Sequence, residues 1–187
     1  VVAKSSTGLD VSHNNGMIDW SQVRGSGRSF AYVKASQGTT FPDLQFIANV
    51  TGAAGKGMEV GAYHFAAPNL NKSNLGDDAA AEAAKFVSVA GSELTAGNLE
   101  PVLDLEDGSS SGSGGCIGVP FSQLAQWVTN WIADLKADLP TVKLDPILYM
   151  NGSYADAFTT ASPSLLGYAL WISCLLYTSD AADDLTR

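Results

Sequence analysis

The sequence is poor in cations, cysteine and histidine, and the shortage of cations excludes several classes of partner. Ten Lys+Arg residues stand against nineteen Asp+Glu residues, so the 187-residue chain has a formal net charge of −9. An acidic surface repels phosphate backbones and anionic bilayers, so we expect neither a nucleic-acid partner nor a membrane partner. The apolar runs are also far shorter than the roughly 20 residues needed to cross a bilayer.

The few cysteines and histidines argue against a disulfide framework, a metal cluster and a zinc hydrolase. Cys116 and Cys174 are too few for a disulfide framework or a metal cluster. His13 and His64 do not form the H-x-x-x-H pattern of zinc hydrolases. The sequence also lacks the G-x-S-x-G elbow of esterases and both common phosphate-binding glycine motifs. A zinc hydrolase and an esterase of this type are therefore improbable.

Apolar segments rich in β-branched and aromatic residues alternate with helix-like segments along the chain. This alternation predicts an α/β fold with a parallel sheet covered by helices. Without a nucleotide-binding motif, a (β/α) barrel is favoured over an open doubly wound sheet. The predicted strands are Gly8 to Ser12, Phe30 to Ala35, Val60 to Ala66, Pro101 to Glu106, Pro146 to Met150 and Ala169 to Ser173.

Helices are predicted from capping residues and apolar periodicity. Asp43 is expected to open a helix over Leu44 to Ala54, Asp77 and Asp78 one that runs to Val89, and Ser122 one over Gln123 to Leu139. The last helix has an apolar face made of Leu124, Val128, Trp131, Ile132 and Leu135. A Ser/Gly segment over residues 108–115 follows the fourth strand, and it is interpreted as either a flexible surface loop or a lid.

Two carboxylates mark the end of the fourth predicted strand. Asp104 and Glu106 are two residues apart and project to one face, whereas Leu103 and Leu105 project toward the helices. Burying two like charges is costly, and few cations are available to pair with them. Paired carboxylates with separated pKa values are what acid-catalysed cleavage of a glycosidic bond requires. We therefore interpret this pair as catalytic.

A third acid and several aromatic residues are expected to lie beside the pair. Asp10 alternates with apolar residues at the end of the first predicted strand, so it also points inward. Tyr63 and Phe65 share one face of the third strand, which suits either sugar stacking or the core. Tyr149 and Trp171 leave the same alternatives open at later strand ends. His64 takes the opposite face and is either a buried hydrogen-bonded residue or a catalytic one.

Seven segments in order resemble glycoside hydrolase family 25, the Chalaropsis-type N-acetylmuramidases or lysozymes. The resemblance covers about residues 8 to 173. The segments are Gly8 to His13, Ile18 to Trp20, Phe30 to Thr39, Gly61 to Phe65, Pro101 to Asp107, Pro146 to Tyr149 and Leu170 to Ile172.

The resemblance implies a modified (β/α) barrel of the TIM type that needs neither metal nor cofactor. It implies hydrolysis of the β-1,4 bond between N-acetylmuramic acid and N-acetylglucosamine in peptidoglycan. Glu106 would be the general acid. Asp104 would orient the acetamido group of the substrate or stabilise the positive charge at the anomeric carbon, and Asp10 would complete the acidic rim.

The sequence departs from the family pattern at two places. Where the family commonly has Lys-Ala-Thr-Glu-Gly, this chain has Gln37 in place of the glutamate, so this substrate-side position offers hydrogen bonds without a charge. After Ile172 the family continues into two further strands, whereas residues 174–187 resemble a translated sequencing adaptor. We expect residues 1–173 to be an incomplete catalytic domain that lacks the last barrel strands, and residues 174–187 to be a non-native tail.

The sequence therefore predicts a secreted, monomeric muramidase that acts on bacterial cell walls. Its predicted catalytic residues are Glu106, Asp104 and Asp10, and its predicted substrate-binding residues are Tyr63, Phe65, Tyr149, Trp171 and Gln37. The alternative is a non-catalytic carbohydrate-binding protein derived from the same barrel. A chitinase-like glycosidase is less favoured, because the D-x-x-D-x-D-x-E pattern is absent around the acid pair.

Overall fold

A computed structural model of the chain describes residues 6–69, 74–95, 97–107, 116, 118–140 and 145–173. The predicted Ser/Gly loop at 108–115 and the predicted tail at 174–187 lie outside these described residues. The same holds for Cys174, so the described part of the chain contains one cysteine, Cys116, whose thiol is free and buried.

The strands of the described residues form one curled, largely parallel sheet in the order β1-β2-β4-β5-β6-β7. The strand β3 pairs antiparallel with β2 and lies off this path. Each parallel neighbour follows a helical or loop crossover, as the alternating sequence pattern requires. The bounds are β1 Gly8–Val11, β2 Phe30–Gln37, β3 Phe41–Pro42, β4 Glu59–Phe65, β5 Val102–Leu105, β6 Ile147–Asn151 and β7 Leu170–Ser173.

Five α-helices of the described residues cover the outer face of the sheet, and two 3-10 turns accompany them. The helices are α1 Trp20–Gly25, α2 Phe46–Ala54, α3 Leu75–Ala90, α4 Phe121–Asp138 and α5 Gly152–Ala161. The 3-10 turns span His13–Asn15 and Pro163–Gly167.

The helix starts differ from those predicted, because the acidic residues serve other purposes. Asp43 accepts hydrogen bonds from His13 and from the Gln45 backbone N–H, so α2 begins only at Phe46. The N-cap of α3 is Asn74 rather than Asp77 or Asp78. The helix α4 begins at Phe121 after Pro120, with no side-chain cap from Ser122.

The main core lies between the sheet and the helices α3 and α4. The predicted apolar face of α4 is fully buried there, and its tryptophans Trp127 and Trp131 are 0% exposed. Leu103 and Leu105 of β5 join this core from the sheet side. Because side chains alternate along a strand, the neighbours Asp104 and Glu106 are held on the opposite, concave face.

The sheet curls until residues on distant strands touch across its concave face. Tyr32 of β2 and Trp171 of β7 have ring centroids 5.3 Å apart, although three strands lie between them in the sheet order. This half-barrel curl brings the carboxyl ends of the strands around a common centre. Among the described residues, no helix is both long and apolar enough to span a membrane.

Candidate active site

The carboxyl ends of the parallel strands surround a cavity of about 180 Å³ on the concave face. This is the edge at which parallel α/β folds collect functional side chains, because each strand ends there in a loop. The cavity is lined by Asp10, Ser12, Asn14, Lys34, Tyr63, Phe65, Val102, Asp104, Glu106, Tyr149 and Trp171. Seven of the eight predicted site residues are therefore brought together.

Asp104 and Glu106 form the centre of this cavity. Asp104 lies on β5 opposite Tyr149 of β6 and Phe65 of β4. Its backbone carbonyl accepts a hydrogen bond of 3.0 Å from the Ala66 N–H, which fixes the adjacent strand ends to each other. Asp104 is 7% exposed and Glu106 is half-buried, and their side chains share a hydrogen bond.

The environment of the pair raises the pKa of both carboxyls. For Asp104 the largest cause is burial, followed by the nearby Glu106 carboxylate, while Lys34 acts in the opposite direction. For Glu106 the largest cause is again burial, opposed by the hydrogen bond from Asp104 and reinforced by the Asp10 charge. Two carboxyls that share one hydrogen bond in a partly dry site retain a proton at pH values where an exposed carboxyl has lost it.

Aromatic side chains form the walls of the cavity. Tyr149 and Trp171 meet edge to face, with ring centroids 5.3 Å apart. Tyr63 is half-buried, and burial followed by the Asp104 charge raises the pKa of its phenol, so this hydroxyl remains a hydrogen-bond donor. Apolar ring faces beside a small number of polar groups are typical of a site for an uncharged, hydroxyl-rich ligand.

Lys34 is a site residue that the sequence prediction missed. It lies on β2 and is 6% exposed. Its Nζ donates a hydrogen bond of 2.7 Å to Gln37 Oε1 and sits 4.7 Å from the centroid of the Phe65 ring. A lysine inside an apolar strand, two residues from the aromatic Tyr32, is a signal that could have identified it.

Gln37 lies in a neighbouring cavity rather than among the acids. This cavity has a volume of about 670 Å³ and shares Asn14, Lys34 and Phe65 with the acid site. His13 and Phe41 form one wall, with ring centroids 5.2 Å apart. The two cavities therefore adjoin each other at Asn14, Lys34 and Phe65.

Asp43 fixes the loop that forms this wall. Its Oδ2 accepts hydrogen bonds from the His13 backbone N–H at 2.9 Å and contacts His13 Nδ1 at 2.8 Å. Asp43 is 4% exposed, so this contact joins the loop after β1 to the segment before α2.

His64 lies outside the candidate site, in the core behind it. Its Nδ1 is 2.8 Å from Ser36 Oγ and its Nε2 is 2.9 Å from Glu82 Oε2, and all three side chains are 0% exposed. Glu82 also accepts a hydrogen bond from the Ala67 N–H at 3.0 Å. Of the two alternatives for His64, the structure supports the buried hydrogen-bonded residue.

Contacts at the end of β5 hold the Glu106 backbone in place. The Cys116 N–H donates to the Glu106 carbonyl at 2.9 Å. The next residue, Asp107, accepts a hydrogen bond from the Tyr154 hydroxyl of α5. Burial, followed by the charge of Glu82, raises the pKa of the Cys116 thiol, which therefore stays protonated. In the described part of the chain, no group of three or more His, Cys, Asp or Glu side chains is arranged to hold a metal ion.

The sequence of this chain is similar to known lysozymes and muramidases. It is 37% identical over 153 residues to "Lysozyme M1" of Streptomyces globisporus, covering 81% of this chain and 48% of that protein. It is 31% identical over 127 residues to "N,O-diacetylmuramidase" of Arthroderma benhamiae, covering 67% of this chain and 50% of that protein. The chain thus spans about half the length of these curated relatives.

Solved structures of a lysozyme and a muramidase share the fold of this chain. The bacterial lysozyme from Streptomyces coelicolor matches with a TM-score of 0.72 at 34% identity, over 90% of this chain and 74% of that one. A muramidase from Acremonium alcalophilum matches with a TM-score of 0.75 at 27% identity, over 93% of this chain and 79% of that one. The family model "Glycosyl hydrolases family 25" matches residues 9–185. The chain therefore belongs to glycosyl hydrolase family 25.

Proposed function

We propose that this chain is a muramidase, which hydrolyses the β-1,4 bond between N-acetylmuramic acid and N-acetylglucosamine in bacterial peptidoglycan. The observation that carries the proposal is the hydrogen-bonded pair Asp104 and Glu106 at the strand ends of a family 25 fold, inside an aromatic-walled cavity. The names of the lysozyme and muramidase relatives support the same activity.

In this proposal Glu106 is the general acid. Burial raises its pKa, so Glu106 holds the proton for the leaving glycosidic oxygen to higher pH than an exposed carboxyl does. Glu106 is more exposed than Asp104, which supports its assignment to the substrate side of the pair. The hydrogen bond from Asp104 stabilises the Glu106 carboxylate that forms once this proton has left.

Asp104 and Asp10 are the supporting carboxylates. The buried Asp104 Oδ1 has no hydrogen-bond partner among the described residues, so it can accept a hydrogen bond from the substrate acetamido N–H. Asp10 is exposed at the mouth of the cavity, where its charge stabilises the positive charge that develops at the anomeric carbon. The half-buried rings of Tyr63, Phe65, Tyr149 and Trp171 form the sugar-binding walls.

The proposal also covers the complete fold, the location and the oligomeric state of the protein. The contact between Tyr32 and Trp171 across the concave face supports a sheet that is part of a modified (β/α) barrel. Because peptidoglycan lies outside the cell membrane, we also propose that the protein is secreted, and that it works there as a monomer.

The decisive variant is Glu106→Gln, compared with Glu59→Gln. The substitution keeps the size of residue 106 but removes its acidic proton. The control residue Glu59 is exposed at the start of β4, at the opposite end of that strand from the cavity residue Phe65. We expect Glu106→Gln to lower the release of new reducing ends from purified peptidoglycan by about 10²- to 10⁴-fold. Glu59→Gln should retain the wild-type rate.

A binding assay on the same peptidoglycan separates hydrolysis from simple recognition. Wild-type protein should release reducing ends, and Glu106→Gln should still sediment with the polymer. If the wild-type protein sediments but releases nothing, the carbohydrate-binding alternative replaces the muramidase. Wild-type activity in Glu106→Gln would refute the assignment of the general acid.

A further inference from the structure

Lys34 is a buried cation whose direct contacts do not neutralise it. It lies on the concave face at the junction of the two cavities and is 6% exposed. Gln37 Oε1, which accepts its hydrogen bond at 2.7 Å, is neutral, and so is the Phe65 ring. A buried ammonium group is costly unless opposite charges lie nearby.

The opposite charges are the acids of the candidate site. Asp104 and Glu106 line the same cavity as Lys34. Burial is the largest influence on Lys34 and lowers its pKa, while the charges of Asp104, Asp43 and Glu106, in decreasing order, oppose that effect. Among the described residues that line the two cavities, Lys34 is the one lysine or arginine. It therefore provides the fixed positive charge that the acid pair faces.

Other titratable groups surround the pair from each neighbouring strand. Asp10 faces it from β1, Tyr63 from β4 and Tyr149 from β6, and Asp107 lies directly after Glu106. Behind the pair, the charges of Asp104 and Glu106 also act on the Cys116 thiol, and Glu106 acts on Tyr154. A raised pKa keeps four of these groups neutral, namely Tyr63, Tyr149, Cys116 and Tyr154. The charged groups around the pair, apart from Lys34, are therefore all carboxylates.

We propose that Lys34, held by Gln37 and Phe65, is a positioning residue for the proposed hydrolysis: its fixed charge sets the pH above which the Asp104 and Glu106 pair loses its working proton. The inference rests on the proposed function. It also explains what Gln37 does in place of the glutamate that is common in the family: its neutral amide holds the Lys34 ammonium group in position without cancelling the positive charge.

Two substitutions with different chemistry should shift the pH profile in the same direction. Lys34→Met removes the positive charge, and Gln37→Glu places a carboxylate against it. Each change leaves the acid pair with less positive potential, so its protons are held to higher pH. Because the general acid works while protonated, the alkaline limb of the kcat/KM profile should move upward, by about one pH unit.

Lys34→Arg and Lys136→Met are the matched controls. The first keeps the charge in place, and the second removes a cation from the exposed side of α4, where it pairs with Asp145. Both should keep the alkaline limb at its wild-type pH. A purely structural role for Lys34 would lower kcat without moving the limb, so the pH profile distinguishes the two roles.

The proposal is overturned if Gln37→Glu leaves the alkaline limb unshifted or moves it to lower pH. This variant also decides the outcome if Lys34→Met does not fold, which thermal unfolding would show. Failure of the muramidase assignment is distinguishable, because the wild-type protein would then release no reducing ends at any pH. Failure of this proposal alone leaves an active wild-type protein whose alkaline limb does not respond to Gln37→Glu.

Discussion

The acid pair stores unfavourable free energy in the folded state. Asp104 is buried beside another carboxyl, which raises its pKa above the ordinary value of about 3.9. In the unfolded chain this group returns to its ordinary pKa. The native state therefore binds more protons than the unfolded state at intermediate pH, and its stability falls as the pH rises.

Asp104→Asn should remove part of this pH dependence. The stability that protonated Asp104 contributes is fully present below about pH 4, and it is lost as the pH rises through the raised native pKa. The expected slope is up to about 1.4 kcal/mol per pH unit for one proton. Urea unfolding over this pH range should show a flatter decline for the variant than for the wild type.

Asp138→Asn is the control for this comparison. Asp138 is exposed at the end of α4, so its substitution should leave the pH slope as it is in the wild type. A slope for Asp104→Asn equal to that of the wild type would contradict the buried, shared proton.

Site residues could be predicted from the sequence where a charged side chain interrupts an apolar strand. Asp104 and Glu106 are acids in an apolar strand, and strand alternation was enough to place them on one face. The same alternation applied to Lys34 would have found the buried cation. Lys34 reaches Gln37, three residues on, across a register shift between Lys34 and Ser36 in the pairing of β2 with β4, and no local pattern encodes this shift.

At the scale of elements, a buried polar network joins β2 and β4 to α3 directly behind the site. Ser36, His64 and Glu82 form a continuous chain of hydrogen bonds, and Glu82 ends it at the Ala67 N–H. Because Phe65 lies between His64 and Ala67, this network fixes the strand end that carries one wall of the cavity.

Ser36→Ala should destabilise the fold, because it leaves His64 Nδ1 buried without this partner. The expected loss is about 1–3 kcal/mol in the free energy of unfolding. Urea unfolding measures it directly. The control Ser88→Ala, on the exposed side of α3, should change stability by less than about 0.5 kcal/mol. Equal effects of the two substitutions would contradict the role of the network.

The longer elements could be predicted from the sequence, and the short ones were missed. The 18-residue helix α4 shows a clear apolar period, and all five residues of its predicted face are buried. The 6-residue helix α1 and the 2-residue strand β3 are too short to show a period. The helix α5 begins with Gly152 and Ser153, which are poor helix formers, and its start is instead set by the Asn151 cap.

At the scale of the whole molecule, the curl of the sheet turns separate strand ends into one site. Trp171 is central to this curl, because its ring contacts Tyr32 of β2 and Tyr149 of β6 as well as the cavity. The curl depends on side chains that are far apart in sequence. The pattern of strands therefore favoured a barrel-type sheet, but it could not predict which strands come together across the concave face.

Trp171→Ala should weaken both the curl and the proposed sugar site. We expect a loss of about 1–2 kcal/mol in stability and an increase in KM for peptidoglycan fragments of about tenfold. Trp171→Phe keeps an aromatic ring and should recover most of the binding. An unchanged KM in Trp171→Ala would show that this ring does not contact the substrate.

The most direct test of the central claim is the identity of the sugar at each new reducing end. Purified peptidoglycan is digested with wild-type protein and with Glu106→Gln, the products are reduced with borohydride, and the reduced sugars are identified by mass spectrometry. The proposed function predicts reduced N-acetylmuramic acid from the wild-type digest and essentially none from Glu106→Gln. Reduced N-acetylglucosamine as the main product, or no new ends from the wild-type protein, would contradict it.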